Sequence, residues 1–225
     1  MKLWGRFVYW FSWLLIMVLA KLMFRIRFEG RRNVPPRGPL IIASNHVSNL
    51  DPPLIGIAVP RKVRHMAKRE LFKVAPLFAF MKSIGTIMVD RGHGKQALLD
   101  AVAALKSGDC VVIFTEGTRS PDGRLHKGHS GMIIMAVRAG SPVVPTVIFG
   151  SEKAMGKGSK RIRSVPVTVR FGEPYNVVYS GEGESVPRDV LERECFAVMS
   201  RVEALLPEEM RPTAEEKLAW YGRSE

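Results

Sequence analysis

The chain has 225 residues, which suits one well-packed domain, and its 46% hydrophobic and 24% charged residues are typical of globular proteins. This composition excludes a disordered chain, a collagen-like repeat and a coiled-coil rod. Only two cysteines are present, which excludes a disulfide-rich scaffold and favours a reducing compartment. The net charge of +13 indicates an anionic partner, such as nucleic acid, a membrane surface or a phosphorylated substrate. Because residues 181–225 are net acidic, we expect that partner to meet residues 1–180.

An apolar segment runs from Phe7 to Ala20, with cationic residues on both sides of it. The segment is shorter than the roughly 20 residues that a spanning helix needs, and no signal-peptide cleavage site follows it. In and just before the segment lie amphipathic rings of the kind that settle at headgroup depth. They are Trp4, Tyr9, Trp10 and Trp13. The sequence therefore predicts a half-embedded, membrane-associating helix in residues 1–23, with a buried core helix and a membrane-spanning helix as the alternatives.

Strand-like and helix-like stretches alternate behind this segment. Strands are predicted at residues 24–29, 39–44, 63–67, 86–89, 110–114, 143–149 and 165–171, and helices from residue 52 and at 76–83, 96–105, 132–138 and 190–206. The alternation predicts an α/β fold for residues 24–206: a single domain with a mixed, largely parallel central sheet flanked by helices. We expect residues 150–164 to form a mobile basic loop and residues 207–225 a polar C-terminal tail.

The first candidate site is the segment NHVSNLD, which follows the apolar strand at 39–44. Two prolines follow Asp51 and favour a helix that starts just behind it, so the loop can fold back and bring Asp51 to His46. A carboxylate on one imidazole nitrogen fixes the tautomer and leaves the other nitrogen as a base. The segment alone is equally compatible with Asp51 as a helix cap and His46 as a hydrogen-bonded loop residue.

The second candidate site is the segment FTEGTRS at the end of the strand at 110–114. Arg119 offers a planar fork for a phosphate group, and Gly117 lets backbone N–H groups approach an anion closely. Glu116 can accept hydrogen bonds from a polyol or orient the arginine. A surface turn with an ion pair is the alternative interpretation.

The third candidate site is the segment GTIMVDR, in which a short strand again ends in charged residues. Arg91 is a possible second phosphate ligand with Asp90 as its support, and a solvated ion pair is the alternative. His126 and His129 lie close together but have no further ligand at a suitable spacing. We therefore expect no metal site.

Taken in this order, the three segments resemble the motifs of the glycerolipid acyltransferase family over about residues 41–149. The matching residues are Asn45, His46 and Asp51 in the first motif, Gly85, Val89, Asp90 and Arg91 in the second, residues 114–120 in the third, and Val144 and Pro145 in a fourth, apolar block. Two departures are small: Thr115 stands where proline is usual, and Met88 with Val89 replaces Phe-Ile.

The resemblance implies transfer of a fatty acyl chain from a thioester to the sn-2 hydroxyl of 1-acylglycerol 3-phosphate, which forms phosphatidate. It implies His46 as the catalytic base and Asp51 as its partner. The implied substrate-binding residues are Arg91, Glu116, Gly117, Thr118 and Arg119. It implies no cofactor, because the acyl thioester, on coenzyme A or on acyl carrier protein, is a co-substrate.

The implied partners are lysophosphatidate, membrane lipids and the acyl donor. We expect no nucleic acid, because the basic segments lack the interleaved aromatic residues that stack on bases. The N-terminal helix would hold the protein on the cytoplasmic face of the cell membrane, as a peripheral or monotopic protein. The alternatives are an acyltransferase for another lysolipid and a basic, non-enzymatic module that binds membranes or RNA.

Overall fold

A computed structural model of the protein describes residues 3–69, 81–82, 84–89, 94–159, 161–179, 181 and 185–222. The strands are β1 (Arg27–Glu29), β2 (Leu40–Ser44), β3 (Val63–Lys68), β4 (Ile87–Val89), β5 (Cys110–Phe114), β6 (Val143–Phe149) and β7 (Thr168–Phe171). The α-helices are α1 (Leu3–Phe24), α2 (Asp51–Ala58), α3 (Gly94–Lys106), α4 (Gly131–Ala139), α5 (Ser151–Met155), α6 (Arg188–Leu205) and α7 (Ala214–Tyr221). Among the described residues, short 3-10 helices lie at Arg31–Asn33 and Glu208–Met210.

The strands form one sheet in the order β1-β7-β6-β2-β5-β3-β4. All neighbouring strands are parallel except β6 and β7, which are antiparallel. The predicted α/β fold with a mixed, largely parallel sheet is therefore confirmed. Because β5, β2 and β6 are parallel neighbours, the loops after these three strands meet at one edge of the sheet.

Both faces of the sheet are covered, which explains why its central strands are apolar throughout. Ile41 and Ala43 of β2 face the hydrophobic core beneath α3, α4 and α6, whereas Leu40 and Ile42 face the core beneath α1 and α2. Alternate residues of a strand point to opposite faces, so a strand buried on both sides reads as a continuous apolar run. This packing fixes the strand ends, and with them the loops that carry the candidate site.

Helix α1 extends the predicted apolar segment at both ends. By length and composition its stretch from Phe7 to Phe24 could cross a membrane, and only 22% of that stretch is buried. One side packs against the domain, where the Val63 N–H donates a hydrogen bond to the Tyr9 hydroxyl at 3.0 Å. The opposite side exposes large apolar side chains, among them Phe7, Trp10, Phe11, Leu14, Val18 and Leu22. The alternative of a buried core helix is therefore wrong.

Two segments are more ordered than the sequence analysis expected. The loop at 150–164 begins with the short helix α5, in which Ser151 and Ala154 are buried, so the expectation of a mobile loop is wrong there. Residues 214–221 of the expected tail form α7, which Thr213 and Glu216 start with a capping box. The strand predicted at 24–29 is shorter because α1 continues to Phe24. Most of the helix predicted at 76–83 lies outside the described residues.

Candidate active site

The candidate site is built on the ends of two paired strands, β2 and β5. Ser44 and Phe114 are register partners, and the Thr115 N–H continues the ladder by donating to the Ser44 carbonyl at 2.9 Å. Beyond the strand ends, the Ser120 N–H donates to the His46 carbonyl at 2.7 Å. The backbone therefore fastens the NHVSNLD loop to the FTEGTRS loop, and the two candidate sites predicted from the sequence form a single site.

Asp51 is the first residue of α2 and is fully buried. Its Oδ2 accepts from His46 Nδ1 at 2.8 Å and from the backbone N–H groups of Val47 and Ser48, each at 2.7 Å. Its Oδ1 accepts from the Ser151 hydroxyl at 2.6 Å. The backbone N–H groups that donate to Asp51 belong to residues before α2 and not to its first turn, so Asp51 does not act as a helix cap. Its carboxylate holds the loop folded around His46.

His46 lies between this carboxylate and the ring of Phe114. The two rings are stacked, with centroids 4.0 Å apart and an angle of 21° between their planes. A carboxylate accepts hydrogen bonds, so Nδ1 carries a hydrogen, and in the neutral imidazole Nε2 is then the nitrogen with the free lone pair. Nε2 bonds to none of the residues that the structure describes, and 16% of the side chain is exposed. The imidazole is therefore fixed in orientation, with its basic nitrogen available to a substrate.

Glu116 is buried in the FTEGTRS loop, as Thr115 and Ser120 also are, and 4% of its surface is exposed. Its Oε1 accepts from the His46 backbone N–H at 3.2 Å, and its Oε2 has no hydrogen-bond partner within the described part of the chain. Burial raises the pKa of Glu116 to about 8, and the nearby charge of Asp51 adds to this effect. At neutral pH Glu116 is therefore mostly a neutral acid that can donate one hydrogen bond. Its bond goes to the His46 backbone rather than to an arginine.

The middle of this loop, between the buried Glu116 and Ser120, is open to solvent. Gly117 has a φ of +66°, which glycine adopts without strain, and its N–H donates to the Phe114 carbonyl in a tight turn. Gly117 and Thr118 are exposed, and Arg119 is half-buried. Among the described residues the Arg119 guanidinium has no hydrogen-bond partner, so its fork is available to an anion. Arg91, the other predicted phosphate ligand, lies outside the described residues together with Asp90.

Two further residues support the site. Asn45 pairs with the backbone of Ile148 on β6: its Nδ2 donates to the carbonyl at 3.0 Å and its Oδ1 accepts from the N–H at 2.8 Å. Ser151, which bonds to Asp51, was missed by the sequence analysis. The available signal was its position two residues after β6, because residues behind a strand that is parallel to β2 arrive at the same sheet edge.

No group of three or more His, Cys, Asp or Glu residues within the described ranges could hold a metal ion. His126 is instead paired with Asp122, with Nε2 and Oδ1 2.8 Å apart. The chemistry available from the described residues is therefore that of a His-Asp base beside an open arginine.

Comparison with known proteins points to the same chemistry. A sequence model of the Acyltransferase family matches residues 25–149. The chain is 30% identical over 155 residues to a 1-acyl-sn-glycerol-3-phosphate acyltransferase of Limnanthes douglasii, which covers 67% of this chain and 54% of that protein. It is 31% identical over 168 residues to the alpha form from Homo sapiens, which covers 71% of this chain and 59% of the relative.

A solved structure shares the fold. The crystal structure of the 1-acyl-sn-glycerophosphate acyltransferase PlsC from Thermotoga maritima matches with a TM-score of 0.67 and 25% sequence identity, over 91% of this chain and 81% of that one. The chain spans 40–59% of the length of the curated relatives it matches. The family match contains both halves of the site, from His46 to Arg119, and confirms the resemblance seen in the motifs. The chain belongs to the Acyltransferase family.

Proposed function

We propose that the protein transfers a fatty acyl chain from a thioester donor to the sn-2 hydroxyl of 1-acylglycerol 3-phosphate and so forms phosphatidate. The observation that carries the proposal is the pairing of His46 with a fully buried Asp51, 2.8 Å away, beside a loop whose Arg119 guanidinium has no hydrogen-bond partner in the described part of the chain. The relatives, which are 1-acyl-sn-glycerol-3-phosphate acyltransferases, support the same acceptor.

In the proposed reaction His46 acts as a general base. Its Nε2 takes the proton from the acceptor hydroxyl while that oxygen attacks the thioester carbonyl. The imidazolium that forms is stabilised through Nδ1 by Asp51. When the tetrahedral intermediate collapses, the carbon–sulfur bond breaks and His46 returns the proton to the leaving thiolate. The acyl group passes directly to the acceptor, so no acyl-enzyme forms.

The arginine side of the site is proposed to bind the acceptor phosphate. Arg119 can form two parallel hydrogen bonds to phosphate oxygens, and Arg91 is the proposed second ligand. The exposed Gly117 and Thr118 leave room for the headgroup beside Arg119. Neutral Glu116 can accept or donate one hydrogen bond at this site. An ionised carboxylate would repel the phosphate, whereas the neutral acid does not. Holding the phosphate here would place the acceptor hydroxyl near His46.

The exposed apolar side of α1 supports membrane association, because both acceptor and product are lipids. We propose that the protein sits on the cytoplasmic face of the cell membrane. There it would take acyl-CoA or acyl carrier protein from the cytosol. Both donors are anionic, which fits the net positive charge of residues 1–180.

The test is a direct assay on the purified full-length protein in liposomes. Oleoyl-lysophosphatidate is supplied with palmitoyl-CoA or with palmitoylated acyl carrier protein, and phosphatidate is followed by mass spectrometry. We expect phosphatidate from the wild type and none from folded His46→Ala, and the better donor appears in the same experiment. Folded wild-type protein that makes no phosphatidate with either donor would contradict the proposed acceptor. A panel of other lysolipids would then be tested. If none of them is acylated, the remaining interpretation is a non-enzymatic module that binds membranes or RNA.

A further inference from the structure

We propose that Ser151 is a positioning residue of the site: its hydroxyl fixes the Asp51 carboxylate, and through it the orientation and tautomer of His46. The inference rests on the proposed function, since it concerns the same base. Ser151 lies outside the residues that the family model matches, which end at 149. Ser151 is completely buried, and its hydroxyl bonds to the Asp51 carboxylate rather than to the imidazole.

The two oxygens of Asp51 are held very differently. Oδ2 receives three donors, from His46 Nδ1 and the N–H groups of Val47 and Ser48. Oδ1 has one donor among the described residues, the Ser151 hydroxyl at 2.6 Å. Both Asp51 and Ser151 are completely buried, so solvent does not replace this donor in the folded site. Ser151 therefore completes the hydrogen bonding of a carboxylate that would otherwise have a bare oxygen in the core.

The backbone around Ser151 holds its hydroxyl in place. Gly150 has a φ of +89°, and a Cβ there would come within 2.2 Å of the Pro166 carbonyl oxygen, so only glycine fits this corner. Helix α5 is also tied to the NHVSNLD loop, because the Ser48 hydroxyl donates to the Met155 carbonyl at 2.6 Å. Ala154 is buried in the same core as α2. Helix α5 is thus held between the end of β6 and the NHVSNLD loop, and these contacts together fix the position of Ser151.

Loss of the Ser151 hydroxyl would leave Oδ1 without a partner. A buried, unsatisfied carboxylate oxygen is costly, so the carboxylate is expected to turn away from its present plane. Its bond to Nδ1 would then weaken, and the imidazole would populate the tautomer that carries hydrogen on Nε2. That tautomer cannot accept the proton of the acceptor hydroxyl. The effect falls on kcat, because the acceptor phosphate binds on the other loop.

The experiment compares Ser151→Ala with the wild type and with a matched control. The control is Ser141→Ala, which removes a buried serine hydroxyl at the opposite end of β6, where it donates to the Pro142 carbonyl at 3.2 Å. Ser151→Cys is a second variant of similar size, with a thiol that is a weaker donor. Three quantities are measured for each protein: kcat and KM for lysophosphatidate, the thermal midpoint, and the 15N chemical shifts of the His46 ring, which report its tautomer.

For Ser151→Ala we expect kcat to fall about 10- to 100-fold, the effect of losing one hydrogen bond to a charged group, with little change in KM. The His46 15N shifts should move toward a mixture of tautomers, and Ser151→Cys should give intermediate values. Ser141→Ala should keep the wild-type kcat and tautomer. The inference is wrong if folded Ser151→Ala keeps both the wild-type kcat and a single tautomer, or if Ser141→Ala changes them equally. The NMR shifts do not depend on the substrate, so a wild type that makes no phosphatidate would overturn the proposed reaction, and the tautomer of His46 in Ser151→Ala would still decide the role of Ser151.

Discussion

The two loops of the candidate site differ in how firmly they are held. The loop after β2 places His46 against a fully buried Asp51 whose two oxygens together accept four hydrogen bonds. The loop after β5 buries Thr115, Glu116 and Ser120, but Gly117 and Thr118 between them are exposed, and the Arg119 guanidinium is unpaired among the described residues. One loop is fixed by the interior, and the other presents its groups to solvent.

This difference matches two chemical tasks. A base must hold one tautomer and one orientation, which requires a dry and fully bonded support. A binding group for phosphate must keep donors free until the ligand arrives, because donors already paired within the protein have to be released first. We therefore expect substitutions in the first loop to change kcat and substitutions in the second to change KM.

The largest loss of activity is expected from a substitution in the His46–Asp51 pair. Asp51→Asn keeps the size of the side chain but replaces an acceptor oxygen with an amide, which favours the wrong tautomer of His46. We expect a loss of kcat on the order of 10⁴-fold, as for the corresponding change in a serine protease triad. Phosphatidate formation by the folded variant measures it. A loss confined to KM would place Asp51 in binding and would remove the contrast between the loops.

Glu116 tests the contrast between the two loops, because it is a buried residue in the loop after β5, whose middle is exposed. Its pKa is about 8 in the folded protein and about 4.5 in the unfolded chain, so the folded state keeps a proton that the unfolded chain loses between these values. The free energy of unfolding of the wild type should therefore fall by several kcal/mol relative to Glu116→Gln as the pH rises from about 4.5 to about 8.

The measurement is denaturant unfolding of both proteins in detergent at several pH values. The control is Glu209→Gln, which changes an exposed glutamate and should leave the pH dependence of the wild type unaltered. Parallel pH profiles for the wild type and Glu116→Gln would show that the carboxyl is ionised in the folded state throughout.

Arg119 tests the binding side of the comparison. Arg119→Ala removes the phosphate fork, and we expect KM for lysophosphatidate to rise about 10- to 100-fold with kcat changed much less. Arg119→Lys keeps the charge but not the fork, so its KM should lie between the two. The control is Arg37→Ala, which removes an exposed positive charge just before β2, at the opposite end of the sheet. Equal changes in both alanine variants would assign the effect to overall charge.

The smallest effect is expected where the C-terminal helix α7 supports the segment behind Arg119. Arg124 pairs with Glu216 at 2.9 Å and donates to the Arg211 carbonyl at 2.8 Å. The Arg124 and Glu216 side chains are both about one-third exposed, so Arg124→Ala should destabilise the fold by only about 1 kcal/mol or less. KM should rise less than in Arg119→Ala, with kcat unchanged. An effect on kcat as large as that of Asp51→Asn would show that the second loop positions the base.

Local patterns in the sequence were sufficient for the fold class and for most elements. Apolar runs marked β2, β5 and β6 because these strands are buried on both faces, and the prolines behind Asp51 marked the start of α2. The proximity of His46 and Asp51 followed from that start. The helix α7 was also within reach, since Thr213 and Glu216 have the spacing of a capping box. Without a strong apolar periodicity, this signal was overlooked.

The sequence by itself determined the alternation of strands and helices, the apolar α1 and the order of the reactive groups along the chain, because propensity, periodicity and turn chemistry act over a few residues. Only the tertiary structure decided the strand order that joins the loops after β2 and β5, the burial that keeps Glu116 protonated, and the contact between Ser151 and Asp51. These depend on packing between residues up to 100 positions apart. A serine that looks like one more loop residue in the sequence becomes part of the site because β6 lies beside β2.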